Sequence, residues 1–128
     1  MKGDKPTMLV VDDEIGILKF LKDVFEVRGW NVLTTPTGTS IWPLIEKNKI
    51  DIILLDIKLP DCSGMSILKD LKIKFAHIPV VIYTAFSYED EKVNEAIRLG
   101  ASGYVSKSVP VNELIEVVSN ALIKQNGS

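Results

Sequence analysis

The chain has 128 residues, 46% of them hydrophobic and 25% charged, which is the composition of one ordinary globular domain. Fifteen Lys and Arg against seventeen Asp and Glu leave a formal charge of -2, so a broad nucleic-acid-binding face is not expected. The single cysteine, Cys62, excludes an internal disulfide, and no apolar run reaches the roughly 18–20 residues that span a bilayer. The stretch Met1–Pro6 has no signal-peptide core, so the expected location is the cytoplasm, without membrane contact.

The first element is a short apolar run, Met8–Val11, read as a strand. A helical stripe of Ile17, Leu21, Val24 and Phe25 follows, and Gly29 stops it. Trp30–Thr35 reads as a strand of mixed pattern, with Trp30 and Val32 on one face. Ile41, Leu44 and Ile45 make a shorter helical stripe, where Pro43 is tolerable because it falls in the first turn. The third strand is Ile52–Leu55, and Met65, Leu68, Leu71 and Phe75 form the helix after it, ending before His77. Val80–Tyr83 is the fourth strand, followed by a more polar helix carrying Val93, Ala96, Ile97 and Gly100. Gly103–Ser106 is a short fifth strand, and Leu114, Val117, Val118, Ala121 and Leu122 form the last helix, after Pro110 and before Gly127.

Five β-α units in a row predict an α/β fold, a doubly wound parallel sheet with helices on both faces and right-handed crossovers. The three almost wholly apolar strands belong at its centre, buried on both sides, and the second and fifth strands belong at its edges. We expect one domain over 1–128, with an ordered core of about 6–124. The tail Lys124–Ser128 reads equally as a natural terminus or as the cut end of a longer protein.

Open sheets of this class bind ligands at the carboxyl ends of their strands. Those ends carry Asp12 and Asp13 after the first strand, Asp56 after the third, Thr84 after the fourth and Lys107 after the fifth. If the first and third strands are neighbours, three carboxylates converge, and their repulsion is relieved by a hard, oxygen-seeking cation such as Mg²⁺. Lys107 and Thr84 add donors suited to phosphoryl oxygens. Together they read as a Mg²⁺-assisted phosphoryl-transfer site whose nucleophile is a carboxylate. Each residue also has a plain structural reading. Asp12 or Asp13 could cap the first helix, Asp56 could be a turn residue, Thr84 a strand residue and Lys107 a solvated surface lysine. The gathering of complementary groups at four strand ends favours the site.

Several segments carry a family likeness: Leu9-Val10-Val11-Asp12-Asp13-Glu14, Leu54-Leu55-Asp56-Ile57-Lys58-Leu59-Pro60, Ser63-Gly64-Met65, Val81-Ile82-Tyr83-Thr84-Ala85, Gly100-Ala101 and Gly103-Tyr104-Val105-Ser106-Lys107. In this order and spacing the chain resembles a receiver domain of the bacterial two-component response regulators over nearly its whole length. The resemblance implies a flavodoxin-like (βα)5 fold with strand order 2-1-3-4-5. It implies that Asp56 is the phosphoacceptor for a phosphoryl group from a sensor histidine kinase or phosphotransfer protein. Mg²⁺ would be bound by Asp13 directly, by Asp12 largely through water, by Asp56 and by the backbone carbonyl of Lys58. Lys107 would pair first with Asp56 and then with a phosphoryl oxygen. Thr84 would bind another oxygen, and Tyr104 would swing inward as Thr84 moves. The switched surface would be the fourth helix, fifth strand and fifth helix, where a homodimer partner or target docks, and a longer parent protein would add an effector domain. Such a protein catalyses its own modification and is not a general enzyme. A phosphorylation-independent module that only binds other proteins is the alternative.

Flavodoxins would carry Thr, Ser and Gly after the first strand, and phosphatases with an aspartate nucleophile would carry Asp-x-Asp there. Asp12-Asp13-Glu14 matches neither. Three positions depart from the usual receiver pattern. Ser108 stands where a cis proline is usual, and because a cis non-proline bond costs about 2.5–4 kcal/mol we expect a trans Lys107-Ser108 bond and a slightly altered loop. Lys58, at the mouth of the site, reads as solvated, or as a charge that weakens Mg²⁺ binding or draws in an anionic donor. Phe86 cannot orient water through a hydrogen bond, so slow autodephosphorylation is expected. His77 reads as an ordinary surface residue, Cys62 as a thiol without a redox partner, and Tyr88, Ile115 and Ile123 as candidate interface residues.

Overall fold

The protein is described from a computed structural model, which covers residues 5–87 and 90–127. Tyr88 therefore lies outside the described residues. The elements are β1 (Thr7–Val11), α1 (Ile15–Val27), β2 (Asn31–Thr35), α2 (Ile41–Lys47), β3 (Ile52–Leu55), α3 (Gly64–Lys74), β4 (Val80–Thr84), α4 (Glu91–Arg98), β5 (Gly103–Ser106) and α5 (Val111–Gly127). All strand pairs are parallel and the sheet order is β2-β1-β3-β4-β5, so the expected topology holds.

Alternation along the central strands explains why they are apolar throughout. In β1, Leu9 and Val11 face one core and Met8 and Val10 the other; β3 divides as Ile53 and Leu55 against Ile52 and Leu54. The first core is closed by Ile41 and Ile45 of α2, Ile67, Leu68 and Leu71 of α3, and Val93 and Ala96 of α4. The second is closed by Leu18, Leu21 and Phe25 of α1 and by Leu114, Val118 and Ala121 of α5. Every one of these side chains is buried, each contributing roughly 1.5–3 kcal/mol if large and aliphatic or aromatic.

Some sequence boundaries shift. Trp30 precedes β2 rather than opening it, although it and Val32 are buried in the same core. Thr84 is the last residue of β4 and fully inside the structure. Ile97, placed in the apolar stripe of the fourth helix, is exposed, because α4 buries only Val93 and Ala96. The last helix runs through Gly127 instead of stopping before it. Gly29 and Gly100 end their helices with φ of 92° and 109°, a region that favours residues without a Cβ. Among the described residues no helix is long and apolar enough to cross a membrane.

Candidate functional site

Each strand end delivers its side chain through one further ladder-like hydrogen bond. The Asp12 N–H donates to the Thr35 carbonyl at 3.1 Å, Asp56 N–H to the Val11 carbonyl at 3.1 Å, and Lys107 N–H to the Thr84 carbonyl at 2.9 Å. The backbone is thus fixed at the positions where β1, β3 and β5 give way to loops. Because β1 and β3 are neighbours, the carboxylates of Asp12, Asp13 and Asp56 have oxygens that lie within 4.8 Å of one another.

Lys107 crosses from β5 into this group. Its Nζ pairs with Asp12 Oδ2 at 2.7 Å, with Asp56 Oδ2 at 2.9 Å and with the Glu14 carboxylate. The second oxygens are held by backbone: Asp12 Oδ1 accepts from the Glu14 N–H at 2.9 Å, and Asp56 Oδ1 from the Lys58 N–H at 3.3 Å. The capping alternative does not apply. Glu14 occupies the N-cap position of α1 without a side-chain cap bond, and neither Asp12 nor Asp13 reaches the first-turn N–H groups.

Burial and charge act against each other here. Burial pushes the Asp12 carboxyl above its ordinary value, and the bonds from Lys107 and the Glu14 N–H only partly offset it. Burial also opposes the charge on Lys107, yet hydrogen bonds to Asp12, Glu14 and Asp56 prevail and hold its pKa above the usual lysine value. Four carboxylates against the Lys107 ammonium paired with them and the exposed Lys58 at the mouth leave the rim negative. An all-oxygen donor set of that charge fits a hard divalent cation such as Mg²⁺.

Beside the carboxylates is a cavity of about 510 Å³ lined by Asp13, Glu14, Asp56, Lys58, Thr84, Ala85, Phe86 and Lys107. Thr84 and Tyr104 meet at Phe86, whose N–H donates to Thr84 Oγ1 at 3.5 Å and whose carbonyl accepts from the Tyr104 hydroxyl at 2.7 Å. The Phe86 ring lies under the Lys92 ammonium, 4.7 Å from its centroid.

The remaining sequence candidates fall as follows. The structure has no cis peptide bond among the described residues, so Lys107-Ser108 is trans, and Ser106 takes over the turn by accepting from the Ser108 N–H at 3.2 Å. The Lys58 side chain is exposed at the cavity mouth. Cys62 is half-buried, and burial pushes its thiol pKa up, away from the reactive thiolate. His77 is exposed ahead of β4, at the end of the sheet away from the carboxylates. Ile123 is 64% exposed, whereas Ile115 packs partly against the second core.

Two contacts were not readable from the sequence. Glu14 pairs with Lys107 across 93 positions, and an acid at the start of a helix carries no local sign of so distant a partner. Asp61 accepts from the backbone N–H groups of Gly38 and Thr39 at 2.9 and 3.0 Å, joining the loop before α2 to the loop before α3. An acid after proline in a loop reads as solvated.

The family model described as the response regulator receiver domain matches residues 8–119. The response regulator SaeR of Staphylococcus aureus is 36% identical over 117 residues, which cover 91% of this chain and 50% of SaeR. The chain thus spans about half the length of the curated relatives it matches. Among solved structures, a CheY-like response regulator receiver domain protein from Methanospirillum hungatei superposes with a TM-score of 0.90 at 27% identity, covering 97% of this chain and 98% of the other. The response regulator TrrA from Thermotoga maritima, solved in complex with Mg²⁺-BeF, gives 0.81 at 28% identity, with 91% of this chain and 98% of that one covered.

Proposed function

The chain belongs to the response regulator receiver domain family, and from that premise we propose that Asp56 is the acceptor of a phosphoryl group donated by a phosphohistidine of a sensor kinase or phosphotransfer protein. The observation that carries the reading is Lys107 Nζ held 2.9 Å from Asp56 Oδ2, inside a cluster of three aspartates. An Asp56 oxygen attacks phosphorus, the phosphorus–nitrogen bond of the donor breaks, and the imidazole leaves with the electron pair. The product is an acyl phosphate on Asp56. Asp12, Asp13 and Asp56, with the Lys58 carbonyl, are the residues that hold Mg²⁺. When bound, the ion neutralises charge on the transferring phosphoryl oxygens. Lys107 and Thr84 donate to those oxygens, and they do so only in one arrangement of their loops, so the modified state selects that arrangement.

Thr84 and Tyr104 both anchor Phe86, so a Thr84 hydroxyl drawn to the phosphoryl group releases one of two holds on the loop leading to α4. The output surface is α4-β5-α5, used for a homodimer or a target, and in a longer parent protein for an effector domain. The domain comprises about residues 6–124, works in the cytoplasm, and modifies itself without turning over other substrates.

The test is intact mass after incubation with acetyl phosphate and Mg²⁺, for the wild type and for Asp56→Asn. We expect one phosphoryl group on the wild type, none with EDTA and none on the variant. A folded wild type that gains nothing would move the reading to a phosphorylation-independent interaction module.

A further inference from the structure

Lys107 reaches Asp12 and Asp56 from a short turn that no proline stiffens. On the strand side its backbone is fixed, because the Lys107 N–H donates to the Thr84 carbonyl at 2.9 Å where β5 leaves β4. On the other side stands Ser108, after a trans bond, and a serine keeps the rotation about φ that a proline ring would remove. A lysine side chain is long, so a small rotation of its backbone becomes a large displacement of Nζ.

Ser106 closes this turn with two groups. Its carbonyl accepts from the Val109 N–H at 3.2 Å, which leaves Lys107 and Ser108 as the two central turn residues. Its hydroxyl oxygen spans the same turn: it accepts from the Ser108 N–H at 3.2 Å and shares a hydrogen bond with the Ser108 hydroxyl at 2.7 Å. A serine hydroxyl bonded to the backbone two residues on fixes a turn without help from proline. The peptide group that follows Lys107 is thereby held, as the Thr84 bond holds the one before it.

We infer that Ser106 is a positioning residue for phosphoryl transfer, whose hydroxyl fixes the Lys107 backbone and so the ammonium 2.9 Å from Asp56 Oδ2. The inference rests on the phosphoacceptor reading of Asp56. Ser106 does not line the cavity beside Asp56, so its route to the chemistry is the turn. Its hydroxyl does here what a proline after the lysine would do by covalent constraint.

The test is the initial rate of phosphorylation by acetyl phosphate at saturating Mg²⁺, read by intact mass well below the thermal midpoint of every chain. The proteins are the wild type, Ser106→Ala, Ser106→Thr and Asp56→Asn. Ser106→Ala deletes the hydroxyl and leaves the carbonyl bond to Val109. Ser106→Thr keeps a hydroxyl on the same carbon. Ser106→Ala is expected to react about two- to tenfold more slowly than the wild type, the range for one exchangeable hydrogen bond, and Ser106→Thr to restore the wild-type rate. A Ser106→Ala rate equal to that of the wild type would overturn the positioning role. Equal slowing in Ser106→Ala and Ser106→Thr would overturn it as well, because the hydroxyl would then not be the group that matters. A wild type that gains no phosphoryl group, or an Asp56→Asn chain that gains as much, refutes the phosphoacceptor reading itself and this inference with it.

Discussion

Phe86 shows how much one side chain at the rim decides. Its backbone is held by Thr84 and Tyr104, its ring by Lys92, and the same ring lines the cavity over Asp56. The ring offers neither a donor nor an acceptor, so a water approaching an acyl phosphate on Asp56 finds nothing there to align it. Phe86→Glu places a carboxylate at that wall, opposite the same Lys92. Loss of the phosphoryl group, followed by intact mass after removal of the donor, is expected to accelerate roughly tenfold, less than the ~10²–10⁴ of full general-base catalysis. An unchanged decay rate would show that the water is aligned by another group. At this scale the sequence was informative wherever a residue's place follows from a strand end. Asp12, Asp13, Asp56 and Thr84 were legible because a short apolar run stops beside them, and Lys107 because it follows the short fifth strand. Glu14 was not, since its partner arrives only when β5 has been laid into the sheet.

The loop between β3 and α3 is the element on which the placement of Asp56, the proposed acceptor, depends, and three devices fix it. Ser63 caps α3 by accepting from the Met65 N–H at 3.2 Å, and an isolated antiparallel bridge joins Lys58 to Ser63. Gly64 lets the helix start touch the strand end: a Cβ there would come within 2.4 Å of the Asp56 carbonyl oxygen and 2.7 Å of the Ile57 carbonyl oxygen. Both obstacles are backbone. Gly64→Ala should therefore displace Asp56 itself, lowering the thermal midpoint and slowing phosphorylation by acetyl phosphate together; a variant slow in neither respect would disprove the contact. The third device is Asp61, whose carboxyl is held well below the ordinary range by the Gly38 and Thr39 N–H groups. A lowered carboxyl stabilises the folded state at every pH above its unfolded value of about 3.8, and that contribution is lost as pH falls through the folded value. The deficit in thermal midpoint of Asp61→Ala relative to the wild type should be constant between pH 7 and pH 5 and shrink below pH 4. A deficit unchanged down to pH 3 would mean that Asp61 acts through something other than its charge. The helices were readable from their stripes, but this loop was not. Its order comes from one side chain reaching across to a neighbouring loop 22 and 23 positions away.

Across the whole molecule, the architecture that stabilises the sheet also creates a cost at its rim. Two separate cores bury the central strands on both faces, so β1 and β3 cannot move apart, and the order β2-β1-β3 keeps Asp12, Asp13 and Asp56 together. Which strands are central was legible, because only a strand covered on both sides can be apolar at every position. Their order was not, since apolar runs alone do not say which of them are adjacent; the resemblance supplied it. The packed rim holds four carboxylates with Lys107 as the one ammonium paired among them, and the fixed strand ends keep the buried Asp12 and Asp56 close together. A cation that binds only the folded arrangement must then stabilise the fold by mass action. At tenfold excess over its dissociation constant, Mg²⁺ should add about 1.4 kcal/mol, a rise of several degrees in thermal midpoint for a chain of this size. The rise should vanish in Asp13→Asn, which removes an exposed carboxylate of the proposed site and leaves both cores untouched, and it should not be reproduced by NaCl at the same ionic strength. If NaCl matched Mg²⁺, the three aspartates would be a screened patch of charge and not a metal site. If Asp13→Asn kept the full rise, the ion would be held elsewhere on the molecule.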